Sequence, residues 1–254
     1  LAARMDYHYW RPLAWLVGIV TVVLLVMVIT PGIGVSVKGS SRWLRFGPVN
    51  VQPSEIAKFS IILLLSWWMS RVQRRAGDFR KGLLVPLLLL GGITGLVFIE
   101  PDFVTTLLLG TVGMAIMFIG GTRIGYILIA AVLGSSGFVL AIMQDEERMR
   151  RIMAFLNPEK YSQDEAFQLL NAIYAFVVGG GAGVGLGASL QKHFYLPEAH
   201  TDFIFAIIGE ELGLGASLGV VLLFVLFFLA GLQVSHRAHD AFGKLMAFGI
   251  TAVI

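Results

Sequence analysis

The chain has 254 residues, 57% of them hydrophobic and only 14% charged, with a formal net charge of +3 and no cysteine. A mean hydropathy of +0.81 is more apolar surface than a water-soluble globule of this length can hide, which excludes a soluble enzyme and a disordered chain. The missing cysteines remove disulfide frameworks and thiolate metal sites, and the small, dispersed charge gives no footprint for nucleic acid.

A membrane-spanning helix needs about 20 mostly apolar residues. Pro12 to Thr30 is the first such run. After it comes VKGSSRWLRFGPVNVQPSEIAK, Val37 to Lys58, punctuated by Gly39, Gly47, Pro48 and Pro53 and read as a compact outer loop. Pro53-Ser54-Glu55 then starts a helix, and the three-residue spacing sets Glu55 and Lys58 on one face. Two readings stand here. One is an ordinary helix start with a local ion pair. The other is a cationic pocket for phosphate from Arg42, Arg45 and Lys58, with Trp43 at headgroup level.

Ile56 to Ser70 is a shorter span carrying Lys58 near one end. The next loop holds Arg71, Arg74, Arg75, Arg80 and Lys81 within eleven residues, which marks it as cytoplasmic. Counting spans from there puts Arg4, Arg11, Arg123, Arg237 and Lys244 on the same side. Gly82 to Ile99 and Phe103 to Thr122 are further spans, separated by Glu100-Pro101-Asp102, which reads as a tight turn at the membrane surface. Ile124 to Gln144 follows. None of these runs alternates with period 2, so the fold class is all-α, a polytopic helical membrane protein and not a barrel.

Residues 145–211 form a long extracytoplasmic loop with ten of the sixteen acidic residues. Loops of this length are often functional. Within it, Arg148, Arg150 and Arg151 form a basic run that suits lipid headgroups, a pyrophosphate or plain solvation. Ala166 to Gln191 is uncharged and ends in VVGGGAGVGLGASLQ, which suits a re-entrant or interfacial element better than a spanning helix. Gly183 to Ala188 fits a dinucleotide fingerprint only on paper and reads instead as close backbone packing. Then comes LPEAHTDFIFAIIGEE. A helix starting at Pro197 would set Glu198 and Asp202 four apart on one face, with Thr201 beside them. Asp202 directly precedes six apolar residues, so its carboxylate is expected where water ends, an environment that tunes a general base. Leu212 to Ser235 is the sixth full span, and Leu245 to Ile254 begins a seventh. The whole chain is expected to be one integral membrane domain.

Several segments carry a resemblance to the FtsW/RodA/SpoVE family, the SEDS proteins: VKGSSRWLRFGPVNVQPSEIAK, EPDFVTTLLL, RRIMAFLNP and GVGLGASLQKHFYLPEAHTDFIFAIIGEELG. With the hydropathy between them they cover nearly the whole chain. The wording leans toward the division branch of the family. Ala166-Phe167-Gln168 departs from the Gly-Tyr-Gln the family usually shows, which leaves Gln168 a weak site.

The resemblance implies a ten-span fold, of which this chain would lack the first two spans and the C-terminal end. It implies a multi-pass protein of the bacterial inner membrane, at the septum if the division branch is right. It implies a glycosyltransferase that polymerises lipid II at the outer face, alongside a class B penicillin-binding protein transpeptidase and other division proteins. Membrane lipid surrounds it, and no nucleic acid is involved. Asp202 falls on the family's key carboxylate and Trp43 on its loop tryptophan. Arg42, Lys58 and Lys192, with a divalent cation (Mg or Mn) left open, would answer the pyrophosphate charge. Gln52, Glu55, Glu198, His200, Thr201 and Glu210 complete the expected substrate-binding set. A lipid II flippase and a non-catalytic scaffold for the transpeptidase are the rival functions. The unusual polar residues gather at the outer boundary and not at the midplane, which suits chemistry on an exported headgroup better than alternating access.

Overall fold

The computed structural model describes residues 6–37, 40–100, 102–161, 166–191 and 201–254. It is helical, with one small sheet, as the apolar runs require. The helices are α1 (Trp10–Ile29), α2 (Pro53–Val72), α3 (Val85–Ile99), α4 (Phe103–Ile119), α5 (Ile124–Met143), α6 (Glu146–Leu156), α7 (Phe167–Gly179), α8 (Ile204–Arg237) and α9 (Ala241–Val253). Among the described residues four stretches are long and apolar enough to cross a membrane: Tyr7–Ile29, Phe79–Ile99, Ile124–Met143 and Ile204–Arg237.

The chain divides into two compact units. The first comprises residues 1–132 and 228–254, the second residues 133–227.

The first unit is built on α2. Leu63, Leu65, Ala57 and Met69 are fully buried, and α1, α3, α4 and α9 all pack on this helix. A helix enclosed on all sides can be apolar all round, and α2 shows no amphipathic face. Small residues let the neighbours approach. A Cβ on Gly18 of α1 would lie 2.7 Å from Leu64, and one on Gly249 of α9 would lie 2.7 Å from Ile62. The N-terminal end of α2 meets α4 through Ser54 and Asp102, and its C-terminal end meets α4 where Gly120 packs on Met69. Off the membrane, Asp240 caps α9 by accepting from the Gly243 N–H, and the Tyr7 hydroxyl donates to it at 2.7 Å.

Residues 35–51, read as a loop from the sequence, form a three-stranded antiparallel sheet: β1 (Val35–Val37), β2 (Ser40–Phe46) and β3 (Val49–Val51), in that order. The glycine and proline that suggested a loop are its turn, with Gly47 at φ +61 between paired Phe46 and Val49. Leu44 of β2 is buried, which holds the sheet down.

In the second unit α7 is 13 residues, about 20 Å, too short to cross a hydrocarbon core of about 30 Å. It ends at Gly180 (φ +51), and the glycine-rich turn folds against α8. Helix α8 is broken at Gly213, whose φ of 77 and ψ of −174 only glycine adopts readily. The break frees carbonyls, and the turn satisfies them. The N–H groups of Val184 and Gly185 donate to the carbonyls of Glu210 and Glu211, each at 3.0 Å, and the Leu214 N–H donates to the Gly180 carbonyl at 2.9 Å. The glycine cluster is therefore backbone close-packing, as its composition suggested. A Cβ on Gly179 would lie 2.0 Å from the Gly209 oxygen, and one on Gly183 would lie 2.3 Å from the Glu211 oxygen.

Gly213→Ala is expected to destabilise the protein by at least about 1–3 kcal/mol, since its Cβ would meet the Gly183 nitrogen at 2.5 Å in a backbone region closed to alanine. Gly215→Ala, two residues on and facing open space, is expected to be neutral or slightly stabilising. Thermal unfolding of the two variants in detergent reads the contrast, and equal melting temperatures would contradict it.

Candidate active site

Two groups of polar residues carry the sequence expectations, one in each unit.

In the first unit the group gathers where α2 begins. Pro53 occupies the first helical turn, where its missing N–H costs nothing. One turn in, Lys58 Nζ sits 2.8 Å from Glu55 Oε1, so the spacing-derived pair forms. Lys58 is mostly buried while Glu55 is exposed, which leaves the ammonium held by its partner at the edge of the apolar core. Arg42 of β2 donates through Nε to the Glu100 carbonyl at 3.3 Å, setting a cation at the C-terminal end of α3. Trp43 pairs with Val35 in the sheet and is half-buried. Arg45 is exposed and reaches Asn50 Oδ1 at 3.4 Å.

Gln52 donates to Ser54 Oγ at 2.9 Å and to Asp102 Oδ2 at 3.5 Å, and the Ser54 hydroxyl donates to the same oxygen at 3.3 Å. The other oxygen of Asp102 accepts from the Thr105 N–H at 3.2 Å and caps α4. One carboxylate thus serves the N-terminal ends of two helices, where negative charge is favoured.

Glu100 and Asp102 are the residues that sequence reasoning passed over. They were read as a surface turn, yet Glu100 is 1% exposed and Asp102 is 6% exposed. Neither carboxyl oxygen of Glu100 has a hydrogen-bond partner among the described residues. Burial, then the neighbouring Asp102, pushes its pKa up to about 8, against a downward pull from Arg42. The available signal was an acid placed directly at the end of an apolar run.

In the second unit, Thr201, Asp202 and Phe203 form a turn, and α8 begins at Ile204. This corrects the expectation of a helix running from Pro197 through Asp202: Asp202 precedes the helix. Asp202 is exposed on the protein surface. Phe203 packs beside buried Ala206 and Ile207, so the apolar residues after Asp202 do anchor the turn. Glu210 is fully buried. It accepts from the Ser189 hydroxyl, from the Leu190 N–H at 3.0 Å and from the Gln191 N–H at 3.5 Å, which ties the glycine turn to α8. Gln168 lies in the first turn of α7. Lys192, Glu198 and His200 lie outside the described residues. Among the described residues no three carboxylate or imidazole side chains converge as a metal site requires.

The FtsW/RodA/SpoVE cell cycle protein model matches residues 1–254. The chain belongs to this family. It is 38% identical over 254 residues to a probable peptidoglycan glycosyltransferase FtsW of Geobacter metallireducens, covering 100% of the chain and 68% of that protein. A protein of the same name from Methylomonas methanica is 39% identical over 246 residues, covering 95% and 63%. The chain thus spans roughly two thirds of the length of these relatives. Among solved structures, a chain of a peptidoglycan synthase complex that coordinates polymerization and crosslinking has a TM-score of 0.73 at 20% identity, over 98% of this chain and 69% of that one. The rod shape determining protein RodA of Thermus thermophilus has a TM-score of 0.66 at 19% identity, over 98% and 64%. At such identities these two show a shared fold, that of a helical membrane protein of this family.

The proton on Glu100 is favoured in the folded state, so its contribution to stability is full below pH 4.5 and is lost as pH rises through about 8. Glu100→Gln, neutral throughout, is expected to flatten the fall in melting temperature across that window. A pH profile as steep in the variant as in the wild type would contradict the burial argument.

Proposed function

We propose that this protein is a peptidoglycan glycosyltransferase that polymerises lipid II at the outer face of the bacterial inner membrane during cell division. The observation that carries the reading is family membership over the whole chain, joined to an exposed carboxylate, Asp202, in a turn whose half-buried Phe203 packs on buried Ala206 and Ile207.

The reaction is an inverting glycosyl transfer. The 4-hydroxyl of the acceptor GlcNAc attacks C1 of the donor MurNAc. The new C1–O bond forms as the bond from C1 to the pyrophosphate oxygen breaks. The hydroxyl proton goes to Asp202, and the electron pair leaves with undecaprenyl pyrophosphate. The leaving group needs positive charge as the bond breaks, and Arg42, Lys58 and Lys192 supply it. Glu55 orients Lys58 through the 2.8 Å ion pair. Trp43, Gln52, Glu198, His200 and Thr201 contact the sugars and headgroup, while Glu210 holds the turn before them.

Strand polymerisation has to be matched by crosslinking. The solved synthase complex coordinates the two, and a class B penicillin-binding protein is the transpeptidase partner that fits here.

Glycan-strand synthesis from purified lipid II, by the full-length protein with its transpeptidase, tests the reading. Asp202→Asn keeps size and removes basicity. Loss of roughly 100-fold or more in polymerisation is expected, the usual contribution of a general base. A near-normal rate would move the base elsewhere. No polymer from the wild type, with the partner bound, would favour the flippase or the scaffold.

A further inference from the structure

The C-terminal end of α2, opposite the Gln52–Lys58 group, carries a second concentration of charge. A 20-residue helix is about 30 Å long, so this end lies at the other membrane surface. There Ser70, Arg71, Val72, Gln73, Arg74, Arg75 and Lys81 line a cavity of 420 Å³. Four of the seven side chains are cationic and none is acidic. Among the described residues none of the four cations forms an ion pair. The one acid between residues 71 and 81, Asp78, forms none either.

The positive-inside rule accounts for basic residues on this side. It does not account for their being held around a concavity by a rigid frame. The Trp68 indole N–H donates to the Lys81 carbonyl at 2.9 Å, and the buried Thr122 hydroxyl donates to the Gly82 carbonyl at 2.7 Å. The Gly82 N–H donates to the Asp78 carbonyl at 2.9 Å. A Cβ on Gly82 would lie 1.7 Å from the Ala76 oxygen, so the loop closes tightly on itself there. Ala76 is 2% exposed and packs under Gly121. The Arg71 guanidinium lies 4.8 Å over the Trp67 ring, which fixes its direction. Four like charges held together without counter-charge repel one another, and an anion in the cavity removes that cost.

We propose that this pocket is a binding site for a phosphate-bearing anion. Trp67 and Trp68 mark the depth of the lipid headgroups, which makes an anionic phospholipid headgroup the first candidate and free phosphate the second. Arg74 and Arg75 clasp the phosphate oxygens, and Arg71 and Lys81 close the two sides of the cavity.

The test uses delipidated full-length protein and native mass spectrometry, comparing retention of dioleoylphosphatidylglycerol with dioleoylphosphatidylcholine. The wild type is expected to prefer the anionic lipid, and Arg74→Gln with Arg75→Gln to lose about tenfold in its retention. Arg74→Lys with Arg75→Lys keeps the charge and is expected to retain most of the preference. Arg237→Gln with Lys244→Gln removes equal charge outside the pocket lining and is expected to change nothing. A soluble arm adds millimolar inorganic phosphate. Displacement of the lipid by phosphate would assign the pocket to the soluble ion, and no displacement assigns it to the headgroup. Equal retention of the two lipids with no phosphate bound, or an equal loss in the Arg237 and Lys244 variant, would overturn the proposal.

Discussion

The enclosure of α2 is the constraint on which the first unit depends. Because α1, α3, α4 and α9 all pack on it, its lateral surface is closed off, and its charged side chains are confined to its two ends. The charged residues follow that rule. Glu55 and Lys58 lie in its first two turns and Arg71 in its last, with buried leucines, isoleucines and alanine between. Lipid would tolerate a polar group on an outer helix poorly, and packed protein would tolerate it worse unless it were paired.

The end that begins with Pro53 is stabilised by carboxylates and left partly unsatisfied. Asp102 has its oxygens occupied by Ser54, Gln52 and the Thr105 N–H, so it is spent on joining two helix starts. Glu100, two residues away, keeps its proton by burial and spares this boundary a second bare negative charge. Arg42 and Lys58 are each held from behind: Arg42 by the α3 terminus and Lys58 by Glu55. The second unit solves a different problem. A helix that must bend at Gly213 loses backbone hydrogen bonds, and the glycine turn after α7 returns them. Only glycines allow that approach, which is why so many stand in one stretch.

Much of this was legible in the sequence, and the gaps have physical reasons. The apolar runs at Pro12–Thr30, Gly82–Ile99 and Ile124–Gln144 reappear as helices within a few residues, because length and hydropathy alone decide a span. Pro53 marked the start of α2, and the Glu55–Lys58 pair followed from spacing. The sheet at 35–51 was missed because two of its strands have only three residues and its turn shares the glycine and proline of a loop. Helix α6 is not legible in the sequence because it is only 11 residues long and its charges, Arg148, Arg150 and Arg151 among them, read equally well as a solvated loop. Gly213 could not be paired with the glycine cluster without knowing that the two segments lie side by side. Asp202 was placed on a helix that begins two residues later, since Pro197 offered a start the described helix does not use. Glu100 was the costliest oversight: local turn chemistry was satisfied, and only the fold reveals its burial.

We propose, as the central claim, that the α2 start and the Asp202 turn each contact a lipid-linked substrate. The most direct test is photocrosslinking in the full-length protein, with benzoylphenylalanine in place of Trp43 in one variant and of Phe203 in another, against radiolabelled lipid II. The account expects label on both, suppressed by excess unlabelled lipid II. Label on one position alone, or on neither in active protein, would contradict it.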